Sequence, residues 1–550
     1  MSNADKLRRY RQMDYPLPKT YWAWDMFGAG LEHCGRNGKP VEHPLREPNA
    51  DEVLLRVDAI SLCFSDAKLV WAGNEHPRIR GRDLQKDPTV PGHEAALTVV
   101  KAGANWKHKF SVGQRFIIQA DVFIKGEQKA FGYVQRGAMA QFVYAGPWVL
   151  DGDDGCYLLP LHDKTGYAEA ALVEPWACVE HAYHITARTA PLADGKSLAI
   201  TIDGAKIPTD VNASVSLANS TSEAIRKAVS DKTGGAGFDD IFLIGPASKE
   251  IVEAADAALA KDGYLVFSGV DKQIIAEFDI GRVHYHFTRH VAAVNGDILK
   301  AYTQNQREEL LSGGLCWMAG AAGPMGQMHV QRALELEKPP KMLYCTDLSP
   351  ERISYMKGRL GPLAKRAGVE LICANPKDMP NFEDDIRAIT GGKGFDDVYV
   401  HAPVAFVVEQ CARHVAVNGI LNIFAGVALG TKTKLPVSLF TEKHARLLGS
   451  SGSSMAAIKG VLDKLESGRL ATGMSVAAVG GIESAWLGLK GVKENIFLGK
   501  TVLFPFAQNL PLLPIEKLSE ASTAAASCLE SGSIWTNEAE EAMLVDKINI

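Results

Sequence analysis

The chain has 550 residues, 46% of them apolar and 22% charged, with a formal net charge of −5 and a pI near 6.3. That length allows two to four ordinary domains with real cores, and the mild acidity gives no electrostatic reason to expect nucleic acid or an anionic membrane surface as a partner. The opening MSNADKLRRYRQMDYPLPKTY lacks the apolar stretch of a signal peptide, and no apolar run is long enough for a membrane span. Nine cysteines stand without a CxxC pair, the usage of a reduced, cytoplasmic protein.

Residues 1–185 hold short strand-like runs: EVLLRVDAISLCFSD (52–66), EAALTVVKAG (94–103), GQRFIIQADVFI (113–124) and AQFVYAG (140–146). Gly, Pro and Asp punctuate them, so a mostly β, barrel-like domain is expected. From about Lys196 strands alternate with amphipathic helical patterns, the mark of βα units on a parallel sheet.

That second region repeats itself. TGGAGFDDIFLI begins at Thr233 and TGGKGFDDVYVH at Thr390, 157 residues on. In each copy the phrase runs into a strand, then a helix ended by Gly, then another strand, so an internal duplication is expected. The second copy alone is preceded by LCWMAGAAGPMGQMHVQRALELEKPPKMLYCTD (315–347). The first has only SLAITIDGAKIPTDVNASVSL there, as if a helix, a strand and another helix were lost.

Residues 315–347 read as strand, glycine-rich turn, helix, strand, acid. A pyrophosphate needs backbone N–H groups and a helix N-terminus without side chains in the way, which Gly323 and Gly326 provide. Taking them as the second and third glycines of G-x-G-x-x-G puts Ala321 at the first position, with Gly320 just before it. Pro324 suits the first helical turn, and Met325 follows it. Asp347 ends the next strand, where an acid accepts ribose hydroxyls and repels a 2′-phosphate. NAD is therefore expected rather than NADP. Arg352 and Gly426 complete the candidate dinucleotide contacts.

Cys63, His93, Glu94 and Glu174 offer a thiolate, an imidazole and two carboxylates, a set that suits zinc. Each alone would more often be core or surface. Their settings are C-x-S-D at 63, P-G-H-E at 91 and E-P-x-A-C at 174, followed by the glycine turn. This series resembles the zinc-dependent medium-chain dehydrogenase/reductase superfamily, and within it the sorbitol and threonine dehydrogenase branch, over about residues 20–185 and 312–505.

The resemblance implies an α/β fold: a GroES-like β-rich catalytic domain and a doubly wound Rossmann sheet, with the truncated Rossmann-like copy inserted. It implies Cys63 and His93 as zinc ligands, with Glu94 and Glu174 ligating or hydrogen-bonding the metal's water. Ser65 would receive the substrate's hydroxyl proton. The family's relay His is replaced by Lys68, so the proton passes through Lys68 or directly to water. The family's four-cysteine lobe is absent from QADVFIKGEQKAFGYVQRGAMAQF, so one zinc per chain is expected. The implied activity is hydride transfer between a secondary alcohol or ketone (polyol, sugar or sugar phosphate) and NAD, in a homo-oligomer, a dimer or tetramer. The expected domains are 1–187 catalytic, 188–300 degenerate repeat without cofactor, 301–505 NAD-binding, and 506–550 a tail packed on the catalytic domain or a neighbouring subunit.

Two other readings share these motifs: a zinc-free alkene reductase of the same fold, and a non-catalytic dinucleotide sensor or scaffold. Cys63, His93 and Glu174 together count against both. GRVHYHFTRH (281–290) lies in the copy lacking the glycine turn and reads as structure or solvent-exposed. Cys156, Cys178, Cys316, Cys345, Cys373 and Cys411 read as inert core.

Overall fold

The computed structural model describes residues 2–185 and 187–550. It divides into two compact units.

The first unit runs to Glu180 and is completed by Gly452–Ile550. Its main sheet is ordered Leu513–Pro514, Val476–Gly481, Lys500–Phe504, Val53–Leu62, Glu94–Ala102, Arg115–Ile118, Leu158–Pro160, with Phe142–Ala145 also paired to Val53–Leu62. The Val53–Leu62 strand is buried at every position. It has sheet neighbours on both edges, and the two charged residues this central position buries are paired with each other, Arg56 Nε donating to Asp58 at 2.7 Å. The stretch 452–505 departs from the expected boundary at 505. It reads as a continuation of the βα series, but Lys500–Phe504 pairs antiparallel with Val53–Leu62, Val502 opposite Ser61. Ile482, Leu489 and Leu503 join the same core as Val57, Ile60 and Leu97. The chain thus leaves the β-rich unit and returns to finish its sheet. The tail packs on this unit: the terminal helix Asn537–Lys547 presents Glu540 to the start of the helix Tyr167–Ala171, accepting from Tyr167 N at 2.6 Å and Ala168 N at 2.7 Å.

The second unit, His181–Ser451, contains both copies of the repeat. One parallel sheet is ordered Val215–Ala218, Ser197–Thr201, Phe238–Ile244, Leu259–Ser268, Arg289–Ala292. The other is ordered Glu370–Ala374, Met342–Thr346, Leu315–Ala319, Phe395–Val400, Val415–Ile423, Arg446–Gly449. The first sheet lacks one strand of the second. No helix joins Ser197–Thr201 to Val215–Ala218 among the described residues, where Pro324–Leu334 stands in the other copy.

The doubled phrase is a folding device. Helices Ser222–Thr233 and Phe382–Thr390 both end on a left-handed glycine, Gly234 and Gly391. This is the usual stop for a helix, since glycine adopts that conformation without a Cβ clash. Thr233 and Thr390 each donate back to the helix carbonyl four residues earlier, at 2.6 and 2.8 Å. The two acids then tie down the segment leading into the sheet. Asp240 accepts from Arg188 at 3.0 Å and Leu192 N at 2.9 Å; Asp397 accepts from Arg307 at 2.6 Å and Leu311 N at 2.8 Å. Asp239 and Asp396 accept from Lys196 N and Leu315 N, both at 2.8 Å.

The copies face each other across a local pseudo-two-fold axis. Ile275–Asp279 pairs antiparallel with Lys432–Pro436, its own counterpart, and Glu277 lies opposite Lys434. Lys434 follows Glu277 by 157 residues, the offset between the two phrases. Such self-opposition is the signature of an isologous contact. Phe278 and Val283 from one copy and Leu435 and Phe440 from the other share one core. The His-rich stretch of the first copy is structural: His290 meets Asp256 at 2.6 Å and His284 Nδ1 meets the Ile423 carbonyl at 3.1 Å.

Candidate functional site

Cys63 follows the last residue of the Val53–Leu62 strand and caps the helix Phe64–Ala72. Glu94 begins the neighbouring strand, in register with Ser61. Cys63, His93 and Glu94 are therefore brought to one end of the sheet by strand pairing. Asp66, fully buried, locks them in place: one oxygen accepts from Cys63 N at 2.9 Å, the other from Gly92 N at 3.0 Å, and the latter meets His93 Nδ1 at 2.9 Å. With Nδ1 fixed, the other ring nitrogen is set toward the site; His93 Nε2 lies 3.3 Å from Ser65 Oγ, which donates to Cys63 Sγ at 2.9 Å.

One ligand atom each from Cys63, His93 and Glu94 lies within 4.8 Å of the others. A thiolate, an imidazole and a carboxylate so grouped fit a tetrahedral zinc with one further position, and a carboxylate on the far nitrogen is how a ligating histidine is commonly held. Burial disfavours a charged His93, but Asp66 outweighs it and holds the imidazole well above its usual pKa. A metal would displace that proton.

Glu174 falls outside this three-residue group. It sits on the helix Val173–His181, buried, close enough to feel His93 and Glu94. Burial raises its carboxyl to about 7, with Glu94 and Asp121 acting in the same direction and His93 against. Cys178, one turn along, donates to Glu174 at 3.9 Å, so it borders the site rather than lying in inert core. Lys68 lies one turn beyond Ser65 on the helix Phe64–Ala72, exposed, its Nζ 5.4 Å from the Phe64 ring centre.

Sequence reasoning missed Lys500. Its Nζ lies 2.8 and 2.7 Å from the two oxygens of Glu94, and both side chains are buried. Burial works against its charge, yet Glu94 and Cys63 together raise its pKa. No motif marks it, because the pairing joins residues 406 apart.

In the second unit the strand order reverses between Leu315–Ala319 and Phe395–Val400, the switch point where such sheets take ligands at their carboxyl ends. The glycine turn lies there, with roles shifted from expectation. Gly320, not Ala321, makes the tight turn: its φ is +76°, and a Cβ would sit 2.9 Å from Ala402 N. Ala321 is buried. Gly323 caps the helix Pro324–Leu334, and a Cβ there would meet nothing closer than 4.0 Å, so the protein leaves that face open. A Cβ on Gly326 would strike the Ala321 carbonyl at 2.5 Å, making that glycine the close-packing one. Asp347 accepts from Ala322 N at 3.2 Å and Ser349 N at 3.1 Å, tying turn to strand end.

Pro324 and Met325 open the helix after the turn. Arg352 is in the first turn of Pro350–Ala367, and Gly426 follows the Val415–Ile423 strand. The first copy keeps a vestige: Gly204 has φ +71°, and Asn219 accepts from Asp203 N at 2.8 Å as Asp347 does from Ala322 N. Without a following helix it offers no helix N-terminus to an anion.

No described helix is long and apolar enough to cross a membrane. Residues 49–160 match the alcohol dehydrogenase GroES-like domain family and residues 324–467 the zinc-binding dehydrogenase family. Neither match includes the first copy. The chain is 29% identical to L-sorbose 1-phosphate reductase of Klebsiella pneumoniae, over 90% of this chain and 91% of that protein. It is 22% identical to mannitol-1-phosphate 5-dehydrogenase of Aliivibrio fischeri, over 90% and 92%. The crystal structure of 2R,3R-butanediol dehydrogenase from Bacillus subtilis superposes with a TM-score of 0.52 at 14% identity, covering 88% of this chain and 99% of that one. With both characteristic domains matched and an α/β architecture of GroES-like and Rossmann-like parts, the chain belongs to the medium-chain dehydrogenase/reductase superfamily.

Proposed function

We propose that this oxidoreductase is a zinc- and NAD-dependent dehydrogenase, moving hydride between NAD and a secondary alcohol of a polyol, sugar or sugar phosphate. The observation that carries the reading is the grouping of Cys63, His93 and Glu94 within 4.8 Å, braced by Asp66 and Lys500. The two relatives above, aligned over nine-tenths of their length and named for sugar-phosphate oxidoreduction, support the substrate class.

A zinc held by Cys63 and His93, with Glu94 or Glu174 completing or exchanging in the set, would supply the Lewis acidity that lowers a hydroxyl's pKa. Ser65 Oγ, already placed between Cys63 Sγ and His93 Nε2, accepts the hydroxyl proton and hands it outward to water or Lys68. When bound, the nicotinamide would supply the hydride acceptor, so that the alcohol would lose a hydride and a proton to become a ketone. Gly320, Gly323 and Gly326 with the first turn at Pro324 and Met325 cradle the pyrophosphate. Asp347 would hold the adenosine ribose and disfavour a 2′-phosphate, with Arg352 and Gly426 as further candidate contacts.

Elemental analysis should find one zinc per chain, and a screen of hexitols and hexitol phosphates should show NAD reduction. Cys63→Ala and His93→Ala should each lose the metal and at least about 10³-fold in turnover, while NADH binding persists. Turnover retained without zinc would sink the metal assignment and favour the zinc-free reductase reading.

A further inference from the structure

Beyond the metal group, a second set of side chains continues outward from His93. The Tyr133 ring lies 5.5 Å from the His93 ring, centre to centre. On Tyr133 rest two basic groups: the His76 ring at 5.5 Å and the Arg78 guanidinium at 4.5 Å from its centre. Two short steps thus lead from a candidate metal ligand to a guanidinium that is one-third exposed. Lys68 lies three residues beyond Ser65 on the helix Phe64–Ala72, a spacing that puts both on one face. Arg78 is aimed rather than loose. Its Nη2 meets Asp121 Oδ1 at 3.1 Å, and Gln128 donates to that same oxygen at 2.7 Å. A guanidinium has five N–H donors, so this brace leaves several for a ligand. Burial first, then Arg78 and Lys68, push His76 down to about 4, so its ring is neutral near pH 7. The cations of the group are Arg78 and Lys68, with Asp121 paired to Arg78 on one side and the His76 ring beside them as a neutral hydrogen-bonding group.

We propose that Arg78, with His76 and Lys68 beside it, is the subsite that receives a phosphate monoester on the substrate, making phosphorylated polyols or sugars the preferred class. The inference rests on the dehydrogenase reading above. A guanidinium offers paired N–H donors to phosphate oxygens, which is why arginine recurs where phosphate is recognised geometrically. Tyr133 holds Arg78 at a set remove from His93, so the subsite measures the distance from phosphate to reacting carbon. An unphosphorylated polyol would leave Arg78 unmatched, the condition under which a polar site rejects an analogue most strongly. Asp121 is then a positioning residue that orients Arg78.

The test uses the full chain with its metal, a set of hexitol 1-phosphates and the matching free hexitols. Zinc content and NADH binding are measured on every sample. For the unaltered protein, kcat/KM on the best hexitol phosphate should exceed that on its hexitol by at least about 100-fold. Arg78→Gln should raise KM for the phosphate ester by about 30-fold or more, with kcat changed less than about threefold, so that the selectivity collapses. Arg78→Lys should restore part of it. Inorganic phosphate should compete with the ester in the unaltered protein and lose that effect in Arg78→Gln. Equal use of free and phosphorylated hexitols would overturn the proposal, as would a loss in Arg78→Gln falling on kcat alone. A protein that holds zinc and NADH yet oxidises neither set also overturns it. A protein with neither zinc nor NADH instead removes the dehydrogenase reading, and the proposal with it.

Discussion

Lys500 and Glu94 form a buried ion pair at the edge of the candidate metal group. Removing one partner from such a pair strands a charge in a dry site, a loss of about 3–5 kcal/mol, whereas removing both together is far milder. Lys500→Met should therefore lower the denaturant midpoint strongly, and Lys500→Met with Glu94→Gln should recover much of the loss. If the double variant is no more stable than the single, the pair is not coupled in this way. This residue also marks what the sequence could show. Cys63 and His93 were legible because each sits in a short local pattern whose neighbours, Ser65, Asp66 and Gly92, serve the same site. Lys500 is an isolated lysine whose meaning comes only from strand pairing with a segment at the other end of the chain. Gly320 is a candidate in the sequence, but its place as the turn glycine goes to Ala321 there, for another reason. A positive φ leaves no mark on the sequence when a second small residue, Ala321, stands beside it.

Among the elements, the terminal helix Asn537–Lys547 braces the helix Tyr167–Ala171, which leads directly into the helix bearing Glu174. The brace is Glu540, 1% exposed, whose carboxyl burial raises to about 7 while the Tyr167 and Ala168 N–H groups pull the other way. The folded pKa thus lies above the unfolded value near 4.5. Below about 4.5 both states hold the proton and nothing changes. Between there and about 7 only the folded state holds it, so stability falls as pH rises through this window and levels off above it. The contribution is about 3 kcal/mol. Glu540→Gln should flatten that part of the profile in denaturant melts at pH 5 and pH 8; an unchanged difference between the two pH values would exclude Glu540 as its source. The sequence showed this helix as an acidic run but not its use, because its partner is 373 residues away. The repeat was legible in full order, since Thr, Gly and Asp act locally in each copy. The return of residues 476–504 to the first unit was not, because their strand–helix alternation also suits a Rossmann series.

For the whole molecule, one dinucleotide turn followed by a helix among the described residues predicts one cofactor per chain. Calorimetric titration with NADH should saturate at one equivalent, and a second equivalent of similar affinity would give the first copy a role that its missing helix argues against. The dimer or tetramer implied by family resemblance would use faces other than the one closed by Ile275–Asp279 and Lys432–Pro436. That internal pairing has a thermodynamic consequence. An isologous contact between separate chains weakens on dilution, because each partner must be found again in solution. Here the partner is tethered, and its local concentration is set by the connecting chain rather than by the sample. The midpoint of thermal unfolding of the second unit, His181–Ser451, should then stay constant over a hundredfold dilution. Along that strip Glu277 faces Lys434, so a change in one copy must be matched by a change in the other.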